Sequence, residues 1–404
     1  MELAGEQRDE GWRLMRHAIL ALNAGSSSIK FGLYDLEPSA ELQLVSRGKL
    51  DLGDAPRLSA KAADGPVQCD RPLAGDARNA GIDALLDWIE SELGGRKLIA
   101  AGHRIVHGGR EFVEPVRLTP AVIEGLDRLT PLAPLHQPRS LAPIHTLAAL
   151  RPDLPQVGCF DTAFHQTIDP IVSRFALPRK YDAEGIRRYG FHGLSYEYIA
   201  GRLKEISPAL AAKRTIVAHL GNGASLCAMR DGRSVDTTMG FSALDGLVMG
   251  TRCGAIDPGV LLYFVLERGI AGEALQHMLY EESGLLGMSG ISGDMRTLEA
   301  SDDRHAREAV DLFAFRAARE AAALANTLGG LECLVFTAGI GERSAPVRKA
   351  ICERLHWLGV AIDEPSNASH AEIISRPDSK VEIRVVATDE ESIIARHTRM
   401  QRNP

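Results

Sequence analysis

The stretch ILALNAGSSSIKFGLYD, residues 19–35, is an apolar run that breaks into a turn of small polar residues and at once turns apolar again. Two such runs around so short a turn form a hairpin. The pattern returns in the second half as TIVAHLGNGASLCAMRDGRSVD, residues 215–236, where Asp231-Gly232 marks a further tight turn. Laid over each other, the copies set apolar-Asn-Ala-Gly-Ser-Ser against apolar-Gly-Asn-Gly-Ala-Ser. One copy alone reads most simply as a plain hairpin with serines facing water. Two copies, with a third glycine loop in CLVFTAGIGERS (333–344) at a strand-to-helix junction, point to phosphate. Successive backbone N–H groups in such turns form anion-binding concavities, and small residues let a phosphate approach the backbone. GxxxxGK[ST] is absent and the first turn leads into a strand, so this is not a P-loop. The expected fold is α/β: two duplicated domains with an active-site cleft between them, one phosphate chain gripped from both sides.

The other elements fit that plan. LQLVSRGKLDL (42–52) reads as a strand, and RNAGIDALLDWIESEL (78–93) as a helix with Ile82, Leu85, Leu86, Ile89 and Leu93 on one face. KLIAAGHRIVHGG (97–109) reads as a strand entering a loop, and TPAVIEGLDRL as a helix with Thr119 as N-cap. QVGCFDTAFH gives a short strand ending at Asp161. Residues 303–328 form a long amphipathic helix, with Val310, Phe313, Ala317, Ala321, Leu324 and Leu328 on one side. The strand VEIRVVA precedes a last helix near 389–401.

A chain of 404 residues, 45% hydrophobic and 25% charged, is long enough for two cores. A net charge of -7 disfavours nucleic acid as a partner, though a local basic pocket can still hold a small anion. The six cysteines lie scattered without a CxxC, which suits free thiols in a reducing cytoplasm better than zinc or disulfides. No apolar run approaches the ~18 residues that span a membrane. MELAGEQRDEGWRLMR, residues 1–16, has no apolar core and is not a secretory signal. It reads as a disordered extension, or as residues ahead of a start at Met15.

In order along the chain stand LNAGSSSIKF, GHRIVHGG, LAPLHQP, FDTAFHQT, YGFHGLS, HLGNGASL, VDTTMGFSALDGLVMGTRCGAIDPG, GISGDMR, FTAGIGE and TDEESIIAR. Together they resemble the acetate kinase family, within the sugar kinase, actin and Hsp70 superfamily, from about Ala18 to His397. The resemblance implies two actin/ribonuclease H-like domains. The first would span 17–161, completed by the C-terminal helix 391–404, and the nucleotide-binding second would span 162–390. It implies reversible transfer of the ATP γ-phosphoryl group to acetate, with ATP/ADP as co-substrate, Mg²⁺ or Mn²⁺ as cation, and a homodimer. Two other readings are a propionate/butyrate-type acyl kinase and a non-catalytic nucleotide-binding switch.

Bringing two anions together demands fixed cations. Arg104 and Arg252, both beside glycines, have the forked donors that suit carboxylate and phosphate. By the resemblance Arg104 binds the carboxylate, Arg252 stabilises the transition state and His192 donates to the phosphoryl group. His136 and His219 match further family histidines. Asp161 matches the family's aspartate, and positioning suits it better than base catalysis. The acceptor resembles a Glu side chain, with pKa about 4.3, and is already ionised. Asp161 as an N-cap before TAFHQT is the alternative. Asn23 and Glu390 match metal-linked positions. Glu391 beside them is also favoured by the helix dipole. Lys30, Ser26 and Ser28 belong to the first turn; His219, Leu220, Gly221, Asn222 and Gly223 belong to the second. Asp294, Met295, Arg296, Gly339, Ile340, Gly341, Glu342 and Arg343 match nucleoside contacts.

Departures from the family pattern are Gln137 for Asn, Leu194 and Tyr196 for Thr and His, Ala255 for Asp, and Arg343 for Asn, the last bearing on donor choice. Ala243 stands where Pro is usual in an acyl pocket otherwise made of Val106, Leu135 and Phe191. A methylene in such a pocket is worth about 1–3 kcal/mol, so propionate should be accepted better than usual.

Overall fold

The computed structural model describes residues 16–25, 28–36, 42–53, 55–73 and 77–402. Ser26 and residues 1–15 of the extension expected over 1–16 lie outside them. The chain divides into two compact units, Met1–Ala163 with Asp389–Pro404, and Phe164–Thr388.

The first unit is built on β1 (His17–Ala24), β2 (Ser28–Leu36), β3 (Leu42–Asp51), β4 (Arg57–Ala62), β5 (Val67–Pro72), β6 (Lys97–Ile105), β7 (Val116–Arg117) and β8 (Gln156–Phe160). Their order across the sheet is β5-β4-β3-β2-β1-β6-β8-β7. β1 is buried along its whole length, as a strand covered on both faces must be. Leu20, Leu22, Phe31, Leu33 and Leu50 pack against Leu85, Trp88 and Ile89 of the helix Ala77–Glu92. Ile105, Phe160, Leu141 and Ile144 form a second cluster with the helix Gln137–Leu150. The C-terminal helix Glu390–Arg402 packs on β1 and β6. A Cβ on Gly102 of β6 would stand 2.0 Å from Thr398 Oγ1 and 2.7 Å from Ile394 Cγ2, so only glycine admits that helix.

The second unit holds β9 (Thr215–Leu220), β10 (Ala224–Arg230), β11 (Arg233–Thr237), β12 (Cys333–Thr337) and β13 (Glu382–Val385), in the order β11-β10-β9-β12-β13. Its core joins Val217, Cys227, Met229 and Val335 to Tyr196, Ile199 and Leu203 of the helix Gly193–Ile206. The helix Arg304–Leu328 buries Phe313, Ala317, Ala321, Leu324 and Leu328, while Val310 is only half-buried.

Strand pairing makes the duplication explicit. In the first unit β3-β2-β1 run antiparallel and β1-β6-β8 parallel. In the second, β11-β10-β9 run antiparallel and β9-β12-β13 parallel. The same five-strand order and polarity occur twice, and in each the polar turn joins the first two strands, β1 to β2 and β9 to β10. Asp231 and Gly232, both at positive φ, close the expected tight turn before β11.

The hairpin β4-β5 has no counterpart among the strands expected from sequence. β5 is almost wholly exposed and carries no apolar run, so periodicity gives no signal there.

Candidate active site

In the first unit, β6 and β8 run parallel and end level with each other. Arg104 lies near the end of β6 and Asp161 just beyond β8, with Asp161 N donating to Ile105 O at 3.0 Å. Their side chains meet in a two-point pair. Arg104 Nε donates to Asp161 Oδ1 at 2.9 Å, and Nη2 donates to Oδ2 at 2.5 Å. Arg104 Nη1 donates to Ala24 O, at the end of β1, at 3.2 Å. Burial lowers the Arg104 pKa, but Asp161, Glu390 and Glu391 outweigh it, and the net shift is upward. The guanidinium is permanently charged. Both carboxylate oxygens of Asp161 thus meet the Arg104 guanidinium.

Asn23, next to the end of β1, donates through Nδ2 to Glu390 Oε2 and to Glu391 Oε1, each at 2.8 Å. The two glutamates open the C-terminal helix. Burial and the neighbouring Glu390 charge raise the Glu391 pKa, and Asn23 and Lys30 offset this in part. Two crowded carboxylates and a side-chain amide offer oxygens of the kind that a hard divalent cation takes, with Arg104 and Lys30 close by. Among the described residues, no group of three or more His, Cys, Asp or Glu side chains assembles a closed metal cage. The set therefore suits an ion that keeps waters and phosphate oxygens. Lys30 is exposed on β2, and Ser28 is half-buried at its start.

Gln137 brings its amide to the same loop. Its Oε1 accepts from His107 N at 3.1 Å and its Nε2 donates to His107 O at 3.0 Å, fixing the segment after Val106. Val106 is buried, and Leu135 and His136 are half-buried.

In the second unit, His192 takes left-handed backbone angles (φ 58°) as it caps the helix Gly193–Ile206. Its ring stacks on His219, with centroids 4.2 Å apart and planes at 14°. Each Nδ1 meets a serine at 2.8 Å: His192 meets Ser225, and His219 meets Ser195. The opposite ring edge of His192 faces the β9–β10 turn. A Cβ on Gly223 would lie 3.2 Å from His192 Nε2 and 2.7 Å from Arg252 Nη2. Only a bare backbone leaves room for both, so Gly223, His192 and Arg252 form one cluster. Arg252 is further held by donating from Nη1 to Ala243 O at 2.6 Å. Phe191 and Ala243 are buried.

A cavity of about 430 Å³ runs along the same turn. It is lined by Gly221, Asn222, Asp294, Met295, Arg296, Gly339, Ile340 and Arg343, and also by Gly293, Glu299 and Ser344, which sequence patterns did not single out. Asp294 caps the helix Met295–Glu299, and its carboxylate takes Arg296 Nε and Nη2 at 3.1 and 2.6 Å. Those bonds hold its pKa below the usual carboxylate range. His219, Leu220, Gly223, Gly341 and Glu342 are not in the lining. Glu342 Oε1 instead accepts from Thr388 N at 3.3 Å.

The wall formed by the helix Ala338–Arg343 is braced from behind by Arg348, which is wholly buried. Arg348 donates to Gly341 O, Glu342 O, Asn367 O, Asn367 Oδ1 and His370 Nδ1, at 2.7–3.0 Å. A buried guanidinium satisfied by carbonyls leaves no motif in a sequence.

The model of the acetokinase family matches residues 18–396. An acetate kinase of Rhodopseudomonas palustris is 52% identical over 389 residues, which is 95% of this chain and 98% of that protein. One from Rhizobium meliloti is 46% identical over 94% of this chain and 97% of its own. Among solved structures, a propionate kinase from Francisella tularensis superposes with a TM-score of 0.87 at 36% identity, covering 95% of this chain and 99% of its own. The Porphyromonas gingivalis acetate kinase superposes at 0.83 and 34%, covering 96% and 100%. Matched nearly end to end in sequence and in structure, this chain belongs to the acetokinase family.

Proposed function

We propose that the protein transfers the γ-phosphoryl group of ATP reversibly to acetate, giving acetyl phosphate and ADP. The observation that carries this is the convergence of Arg252 Nη2 and His192 Nε2 on Gly223, beside a cavity whose lining includes Gly221 and Asn222. Two donors aimed at one point of a bare backbone turn suit the equatorial oxygens of a transferring phosphoryl group, where charge accumulates. ATP occupies the cavity, with its base end toward Ile340 and Arg343.

Arg104 receives the acceptor carboxylate. Asp161 holds its guanidinium in plane by the two-point bond and keeps its orientation fixed. A carboxylate oxygen attacks phosphorus, and the bridging oxygen leaves with ADP. Ionised reactants give ionised products, so no proton moves and no general base is needed. Mg²⁺ or Mn²⁺, held by Asn23 and Glu390 with waters, neutralises phosphate charge when bound. Lys30, Ser26, Ser28, His136 and the His219 turn assist in binding phosphate. The first unit thus supplies the acceptor and cation groups, and the second supplies the nucleotide and transition-state groups.

The working form is a homodimer in a reducing cytoplasm. The helix Pro258–Leu266, PGVLLYFVL, supports the first: it buries none of its residues and exposes Leu262, Tyr263, Val265 and Leu266. A helix apolar all round is otherwise a buried one. The six cysteines, all free, support the second. No helix among the described residues is long and apolar enough to cross a membrane.

Trapping acyl phosphate with hydroxylamine tests the reaction. ATP, Mg²⁺ and acetate should yield acetyl hydroxamate, with propionate close behind. Ala243→Pro should lower the propionate-to-acetate kcat/KM ratio roughly tenfold, the worth of about one methylene. Absence of hydroxamate with every short carboxylate would refute the proposal.

A further inference from the structure

His192 has a partner arrangement that the reaction alone does not require. Tyr196, four residues on and one helical turn away, is fully buried. Its phenol lies 2.5 Å from Ser225 Oγ, which lies 2.8 Å from His192 Nδ1. We propose that Tyr196 is a positioning residue which, through Ser225, holds His192 in the tautomer with its proton on Nε2.

Ser225 Oγ meets the phenol and His192 Nδ1, so once it accepts from the phenol its one proton is left for His192 Nδ1. The phenol, with a pKa of about 10, is the more acidic of the two hydroxyls and the better donor. It donates to Ser225 Oγ, Ser225 donates to His192 Nδ1, and the neutral ring must then carry its proton on Nε2. That is the atom facing the Gly223 turn. The second stacked ring runs the other way. Ser195 donates to Thr388 Oγ1 at 2.9 Å, so its oxygen is left to accept from His219 Nδ1. Two parallel rings 4.2 Å apart therefore differ in what they present at Nε2. Only His192 offers a neutral N–H donor. Without the chain, His192 would divide between tautomers, and the wrong one would turn a lone pair toward phosphate.

The inference rests on His192 donating to the transferring group, and its test separates the two ideas. Long-range ¹H–¹⁵N correlation spectra of the full-length labelled protein report which ring nitrogen is protonated, with His192→Gln for assignment. The wild type should show His192 as the Nε2–H form at neutral pH, whether or not substrate is present. Tyr196→Phe should mix the tautomers and lower kcat roughly tenfold. That is less than the ~10²–10³ lost with a whole oxyanion donor. Nucleotide and acetate KM should stay within about twofold, since no substrate contact is lost. A wild-type ring protonated on Nδ1 overturns the proposal, even if the Phe variant fails to fold. So does a Phe variant with unchanged tautomer and kcat, or one in which kcat falls only in step with thermal stability. If the wild type makes no acyl phosphate at all, the functional reading fails while the spectra still decide the relay.

Discussion

Arg104 and Asp161 stand at the ends of neighbouring parallel strands and share two hydrogen bonds, at 2.9 and 2.5 Å, with Asp161 only 1% exposed. Removing one partner of such a pair strands a buried charge. Asp161→Ala should cost about 3–5 kcal/mol in urea unfolding. Arg104→Lys should keep most of the stability and lose most of the carboxylate affinity, because an ammonium lacks the planar fork. An Asp161→Ala variant as stable as wild type would show that the pair is not formed.

Gly223 gives a prediction of opposite character. A methyl group there meets the tips of two side chains, Arg252 Nη2 and His192 Nε2, not backbone. Gly223→Ala should therefore fold with nearly unchanged Tm while kcat falls roughly 10²-fold, comparable to losing one transition-state donor. An unimpaired kcat would remove the cluster from the chemistry.

Acid should weaken the fold through three histidines. His103, His107 and His165 are buried, and burial lowers each pKa to about 4. A histidine unfolded at its ordinary pKa of about 6.5 takes up a proton that the folded one refuses. The stabilisation is complete above about pH 6.5 and is lost as pH falls toward 4. Urea midpoints measured between about pH 7.5 and 4.5 should decline over that window; a flat profile would contradict the buried, neutral assignment.

The exposed apolar helix Pro258–Leu266 predicts a dissociable dimer. Leu262→Asp with Leu266→Asp should shift sedimentation velocity from dimer to monomer at micromolar protein, while far-ultraviolet circular dichroism stays unchanged. A wild type that sediments as a monomer would leave that face unexplained.

Much of this was legible because the turns are short and chemically distinctive. Asn23, Gly221, Gly223 and the Gly339–Arg343 segment announce themselves through small residues at strand ends, and apolar periodicity fixes the elements around them. What sequence hides depends on distance in three dimensions. Ser195 and Ser225 are ordinary helix and strand serines until two imidazoles are set against them. Arg348 looks like any arginine of a polar helix, yet among the described residues it is the largest fully buried side chain. Glu342 sits inside a nucleoside-contact motif but turns its carboxylate to Thr388 N. The exposed strand β5 is hidden for the opposite reason: with little apolar surface to bury, it leaves no period to read, while its partner β4 buries only Leu58 and Ala60.

The most direct test of the account is the rate of ADP formation with and without acetate, in the wild type and in Arg104→Ala. The account predicts little turnover without carboxylate, a large stimulation by acetate in the wild type, and loss of that stimulation by roughly 10²-fold or more in Arg104→Ala, with nucleotide binding retained. Equal ATP turnover in the presence and absence of carboxylate, unaffected by Arg104→Ala, would contradict it.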